Sequence, residues 1–211
     1  MRRRSKIINP DPANLGFPLP ATGILLAGGK NSRMQRNKAF LELGGKPLVE
    51  RSLEVLKATF AEVIISSNDP ELYAAYKIRV VPDAEQGKGP LAGLAAGLQA
   101  ASWDTAFFVA CDMPFIQPGL MRYLWQWVDA YDAVVPTGLF GSHPLHAYYH
   151  RHCLVAIEKN LRAGHYKIID FYPECQVKYV KEEDLVAFGD VAKILSNVNT
   201  PEEWQQIKNQ E

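Results

Sequence analysis

Short apolar runs alternate along this chain with stretches in which apolar residues recur every three or four positions, and each run stops at a small or polar residue. The runs predict strands at Gly23–Ala27, Glu62–Ser66, Ile78–Val81, Ala106–Ala110 and Ala133–Val135. Such short, mostly apolar segments suit strands buried on both faces of a parallel sheet. Between them, Val49, Leu53, Leu56 and Phe60 mark one face of a helix opened by Pro47, which is tolerated in a first helical turn. A short helix ends at Tyr76; Leu91, Leu94, Leu98 and Ala101 line a second face, and Leu120, Leu124, Trp127 and Val128 a third, behind Pro118. Gly138 to Gly141 reads as a hairpin turn into a strand at Pro144–Tyr149, followed by a helix through Leu154, Ile157 and Leu161. A short helix near Lys167–Tyr172, a strand at Val177–Val180 and a last helix after Pro201 complete the pattern.

Strands alternating with helices predict an α/β fold: a mostly parallel sheet with helices on both faces. Right-handed crossovers would then put the carboxyl ends of the parallel strands on one edge, where ligands of such sheets bind. Gly28-Gly29, Asn68, Asp83 and Asp112 each follow a predicted strand, so all of them are expected at one cleft.

Composition alters this picture little. The 211 residues are 47% hydrophobic and 22% charged, an ordinary globular make-up large enough for one sizeable core. Lys and Arg number 23 against 23 Asp and Glu, a balance that argues against a dedicated nucleic-acid binder and makes any basic site local. Cys111, Cys153 and Cys175 are odd in number and far apart, neither a disulfide framework nor a zinc pattern, which fits a reducing cytoplasm. No apolar stretch approaches the ~20 residues that span a bilayer. The basic start, Met1 to Lys6, is followed by four prolines between Asn9 and Pro20 rather than by an apolar segment, against a signal peptide. Residues 1–20 read as a flexible lead-in and 21–211 as one domain.

The densest chemistry lies just after the first run. Gly28 and Gly29 leave room for a ligand to touch the backbone, and successive N–H groups in such a loop form a concave anion site. Lys30, Arg33, Arg36 and Lys38 place four positive charges within nine positions, suited to a nucleoside triphosphate. The spacing matches neither a P-loop nor the dinucleotide Gly-x-Gly-x-x-Gly pattern. Arg33 and Lys38 would stabilise charge on a transferring phosphorus, chemistry in which positioning and electrostatics carry most of the rate. Asp112, a single carboxylate at a strand end facing a basic loop, suits Mg²⁺, which takes one or two carboxylates and shares its remaining positions with phosphates and water. The alternative is a cap for the following helix. Asp83 is placed to accept hydrogen bonds from a base or ribose, or equally to cap a turn. Cys111 reads as a packed strand residue. His143, His146, His150 and His152 invite a metal reading, but His146 and His150, four apart, lie where a strand and not a helix is predicted, so their spacing does not gather ligands on one helical face.

Four ordered motifs then resemble the molybdenum cofactor guanylyltransferase family, within the nucleotidyltransferases that use a Leu-Ala-Gly-Gly loop. Leu26-Ala27-Gly28-Gly29-Lys30-Asn31-Ser32-Arg33-Met34-Gln35-Arg36-Asn37-Lys38 is similar to the family's Leu-Ala-Gly-Gly-x-x-Ser-Arg-Met-Gly-x-Asp-Lys, with Gln35 in place of Gly and Asn37 in place of Asp. Gly89-Pro90-Leu91-Ala92-Gly93, Cys111-Asp112-Met113-Pro114 and Asn197-Val198-Asn199-Thr200-Pro201 resemble the other three. The resemblance implies a three-layer α/β/α Rossmann-like nucleotidyltransferase fold and a Mg²⁺-dependent attack of the terminal phosphate of molybdopterin on the α-phosphorus of GTP. It implies Leu26, Ala27 and Gly28 at guanine or ribose, Lys38 at the phosphates, Asp83 near the nucleoside, Asp112 on Mg²⁺, and Asn197 and Asn199 across the cleft toward pterin or metal. Asn68 is open to more than one alignment within Ser66-Ser67-Asn68. Transient contacts with cofactor-maturation and molybdoenzyme-chaperone proteins go with such a role. Competing readings are a CTP-dependent cytidylyltransferase, a sugar-1-phosphate nucleotidyltransferase, and a non-catalytic nucleotide or pterin carrier.

Overall fold

A computed structural model of the chain describes residues 17–28, 37–83, 87–138 and 141–209. Its sheet is built from β1 (Leu19–Leu26), β4 (Phe60–Ser66), β5 (Arg79–Val81), β6 (Thr105–Ala110), β7 (Ala133–Gly138), β9 (His146–His150) and β10 (Val177–Val180), in the order β10-β7-β9-β6-β1-β4-β5. A short β8 (Gly141–Ser142) pairs with β7, and β2 (Glu42–Leu43) with β3 (Lys46–Pro47) forms a separate hairpin. Neighbouring pairs are parallel except where β9 meets β6 and β7, so β9 alone runs against the other strands of the main path. The order is the expected mostly parallel sheet, with one reversal that arises because the β7–β8 turn sends the chain back between β7 and β6.

The helices are α1 (Leu48–Thr59), α2 (Pro90–Ala100), α3 (Pro118–Trp125), α4 (Cys153–Arg162), a single turn α5 (Val191–Ile194), and α6 (Pro201–Lys208). Side chains along each central strand alternate between two cores, as a pleated strand requires. Leu25, Phe107, Val109 and Tyr148 face α1 and α3 through Val49, Leu53, Leu56, Leu120, Met121 and Leu124. Ile24, Leu26, Ala106, Phe108 and Tyr149 face α2 and α4 through Leu91, Leu94, Leu98, Ile157 and Leu161. Two cores on opposite faces of one sheet make the three-layer α/β/α arrangement.

Boundaries differ from the sequence reading where packing overrides pattern. β1 begins at Leu19, inside the stretch assigned to the lead-in. Exposed Pro20 is accommodated because the β1–β4 register shifts between Leu19 and Thr22, and proline in strands is confined to edges and such irregularities. Phe60 extends the apolar spacing of α1 but is the first residue of β4: its N–H closes the helix on the Leu56 carbonyl while its backbone is already extended. Pro47 caps α1 rather than entering it. Trp127 and Val128 lie in turns beyond α3, which ends at Trp125.

Strand order reverses beside β1. From this first strand the chain moves outward to β4 and β5 on one side, then crosses to β6 on the other. The crevice beyond the carboxyl ends of β1 and β6 is therefore the topological switch point, where open α/β sheets bind ligands.

Candidate active site

Two polar clusters flank that switch point. The first forms around Asp112, just beyond β6. The Cys111 N–H donates to the Leu26 carbonyl at 3.0 Å, carrying the β6–β1 ladder one residue further and fixing where Asp112 leaves the sheet. Lys38 opens a 3₁₀ turn (Lys38–Phe40) whose N-cap is Asn37; the Asn37 side-chain oxygen accepts from the Ala39 N–H at 3.1 Å. From this turn Lys38 Nζ donates to Asp112 Oδ2 at 3.1 Å and to Asn199 Oδ1 at 3.2 Å. Both charged side chains are largely enclosed, at 19% and 17% exposure, so their attraction is less screened than a surface pair's. Asp112 Oδ1 is buried with no hydrogen-bond partner among the described residues.

Asn199 reaches this cluster through a local helix-start signature. Thr200 caps α6, accepting from the Glu203 N–H, while the Glu203 carboxylate accepts from the Thr200 and Asn199 N–H groups. This capping box, with Pro201 in the first turn, fixes the backbone before the helix. One residue earlier, the Val198 N–H donates to the Asp112 carbonyl at 2.8 Å and the Val198 side chain is fully buried. Both Asn197 and Asn199 are exposed, and it is the Asn199 side chain that joins the cluster, through Lys38.

The second cluster lies beyond β4 and β5. Asp83 Oδ1 accepts from Ser66 Oγ at 3.3 Å and Oδ2 from Asn68 Nδ2 at 3.2 Å, while the Asp83 N–H donates to Asn68 Oδ1 at 3.0 Å. Gly93 explains how this group is covered. A Cβ there would sit 3.0 Å from Leu26 Cδ2, 3.1 Å from Ser66 Oγ and 3.3 Å from Asp83 Oδ1. With no Cβ at that position, α2 packs onto the ends of β1, β4 and β5 without displacing any of the three side chains. Gly89, with φ of 69°, takes the left-handed turn that opens α2, and Pro90 supplies its first residue.

Of the residues expected in one cleft, Leu26 ends β1 at the switch point and Ala27 and Gly28 follow it, with Lys38, Asp112 and Asn199 on one side and Asn68 and Asp83 on the other. Gly28 is exposed and Ala27 buried. Gly29 and Arg33 lie outside the described residues, as do Lys30, Gln35 and Arg36. Ser66 and Gly93 were not singled out by sequence; the polar Ser66-Ser67-Asn68 run and the second glycine of Gly89–Gly93 were their only traces. Cys111 lies in the turn one residue beyond β6 rather than in the strand, and burial, with the adjacent Asp112 charge, pushes its thiol up to about 12, unlike an activated nucleophile.

His146 and His150 lie on strand β9, as expected. The His146 ring is buried edge-on against Phe107, and desolvation, then the neighbouring His143, lowers its pKa to about 3. Among the described residues no three His, Cys, Asp or Glu side chains gather as a metal-binding group. Asp112 stands as a single carboxylate, and its buried, unpartnered Oδ1 fits a cation that draws its other ligands from phosphate and water. No described helix is long and apolar enough to cross a membrane.

Residues 23–177 match the family model described as the MobA-like NTP transferase domain. A protein of Pelotomaculum thermopropionicum named a probable molybdenum cofactor guanylyltransferase is 48% identical over 185 residues, covering 87% of this chain and 89% of that protein. A molybdenum cofactor guanylyltransferase of Syntrophotalea carbinolica is 36% identical over 191 residues, 90% of this chain and 91% of its own. Among solved structures, molybdopterin-guanine dinucleotide biosynthesis protein A of Archaeoglobus fulgidus superposes with a TM-score of 0.80 at 26% identity, covering 89% of this chain and 97% of that one.

Proposed function

The chain belongs to the MobA-like NTP transferase family, and from that premise we propose that it transfers GMP from GTP to the terminal phosphate of molybdopterin, releasing pyrophosphate and forming the guanine dinucleotide cofactor. The observation that carries this reading is the Lys38 ammonium held at the sheet's switch point by Asp112 and Asn199, beside a carboxylate oxygen left unpartnered.

An oxygen of the acceptor phosphate attacks the α-phosphorus of GTP; the bond from that phosphorus to the bridging oxygen breaks, and pyrophosphate leaves with the electron pair. Lys38 opposes the negative charge of the triphosphate at a site pre-set by two hydrogen bonds, so little reorganisation is needed as charge develops. Asp112 would hold Mg²⁺, which neutralises phosphate charge when bound. Ala27 and Gly28 offer backbone at close approach to the nucleoside, and Asp83, supported by Ser66 and Asn68, presents its remaining acceptor capacity to base or ribose. Asn199 ties the α6 start to Lys38 and so sets the far wall for the acceptor. No serine, cysteine or histidine nucleophile is required.

The test is pyrophosphate release from GTP or CTP with molybdopterin, with and without Mg²⁺. Release with GTP that stops when the metal is chelated supports the proposal. Preference for CTP would transfer the activity to the cytidylyl class, and binding without release would leave a carrier.

A further inference from the structure

Tyr73 has no place in the chemistry above, yet it sits behind the site from an unrelated part of the chain. It lies in the 3₁₀ helix Pro70–Tyr76 and is fully buried. Its hydroxyl donates to the Ala27 carbonyl at 3.1 Å, at the end of β1. Its ring stacks on Phe40 with centroids 5.6 Å apart, and Phe40 ends the same turn that Lys38 begins. The Asn37 and Ser67 side chains approach the same hydroxyl. Desolvation outweighs these contacts and raises the phenol to about 12, so it remains a donor across the physiological range.

We propose that Tyr73 is a positioning residue that sets the spacing between the Ala27-Gly28 backbone and the Lys38 ammonium. A bound nucleoside triphosphate must meet both at once, the nucleoside at the strand end and the phosphates at Lys38. A rigid connection behind the two lets a single ligand engage both without ordering them on binding. The inference rests on the proposed nucleotidyl transfer for its ligand, but not for its geometry.

The variant Tyr73→Phe removes the hydroxyl and keeps the ring stacked on Phe40. Losing one buried hydrogen bond that preorganises the site should weaken GTP on the order of tenfold, read as a rise in both Kd and KM larger than any fall in kcat. Guanosine and inorganic pyrophosphate, each engaging one side alone, should bind nearly as to the unsubstituted protein. Tyr148→Phe serves as control: that buried hydroxyl donates to the Met121 carbonyl at 2.9 Å, on α3. It should lower the thermal midpoint comparably while leaving GTP affinity intact. Unchanged GTP affinity in Tyr73→Phe, an equal loss for GTP, guanosine and pyrophosphate, or an equal GTP loss in Tyr148→Phe would each overturn the inference. Failure of the unsubstituted protein to bind GTP would instead overturn the proposed function.

Discussion

The two polar clusters at the sheet edge differ in how completely they satisfy themselves. Around Asp83, both carboxylate oxygens accept hydrogen bonds and the backbone N–H is returned to Asn68. Around Asp112, one oxygen faces a lysine and the other is buried with no described partner. A buried charged oxygen without a partner is costly in isolation. A structure keeps such a group where a ligand completes it. The Asp83 side is thus a finished framework that presents a shape, and the Asp112 side a charge arrangement that awaits its counterpart.

Replacing Asp112 with Asn puts the sharpest strain on this comparison. The change nearly preserves volume, removes the negative charge and, with the amide oxygen kept toward Lys38, puts NH₂ at the position of the unpartnered Oδ1. Pyrophosphate release should fall by at least about 10²-fold, the scale of losing a preorganised electrostatic group. Mg²⁺ should also cease to strengthen nucleotide binding, while circular dichroism stays native. Activity within a few-fold of the original would mean that the unpartnered oxygen has no bearing on catalysis.

Why Asp112 and Lys38 stand out by pattern in the sequence, and Asn199 does not, is a matter of range. An apolar strand that ends on a small or polar residue marks a candidate position locally, and Gly28, Asn68, Asp83 and Asp112 are all read in that way. Asn199 lies 161 positions from Lys38, and nothing local signals their pairing; only the motif resemblance pointed to it. Tyr73 is a buried aromatic in a short helix, indistinguishable by pattern from any core residue. The hairpin reading of Gly138 to Gly141 already turns β9 against β7; its insertion between β7 and β6 is hidden for the same reason, since it depends on a neighbour far along the chain. Phe60 shows the opposite failure: a purely local period was followed one residue too far.

Asp83→Asn sharpens the other half of the comparison and should cost less catalytically. The amide keeps its oxygen for Asn68 and turns NH₂ toward Ser66, whose hydroxyl must rotate to accept, so the hydrogen bonds to a carboxylate are exchanged for weaker neutral ones. A stability loss of about 1–3 kcal/mol is expected, read as a lower midpoint in urea. GTP affinity should weaken, yet the stimulation by Mg²⁺ should persist in proportion. If Asp83→Asn abolished the metal response instead, the division between framework and charge site would collapse.

His146 supplies the smallest effect and the most discriminating one. Both of its ring nitrogens are buried without partners among the described residues, as Asp112 Oδ1 is. Orphaned polar atoms alone therefore do not mark the site. The difference is what each faces: Asp112 the Lys38 ammonium, His146 the edge of an aromatic ring. Desolvation, then His143, keeps His146 neutral, with its pKa lowered from 6.5 to about 3, and a neutral imidazole is tolerated against the Phe107 edge. Linkage then has a definite sign. Below pH 6.5 the unfolded chain takes up a proton that the native His146 refuses, so stability is lost as pH falls from 6.5 toward 3, at up to about 1.4 kcal/mol per pH unit. His146→Leu should flatten that part of the acid limb, measured as thermal midpoint against pH, and leave pyrophosphate release at neutral pH unchanged. An unaltered acid limb would mean that His146 titrates normally. A loss of activity comparable to that of Asp112→Asn would mean that the second orphan belongs to the site after all, and that incomplete hydrogen bonding, rather than charge, defines it.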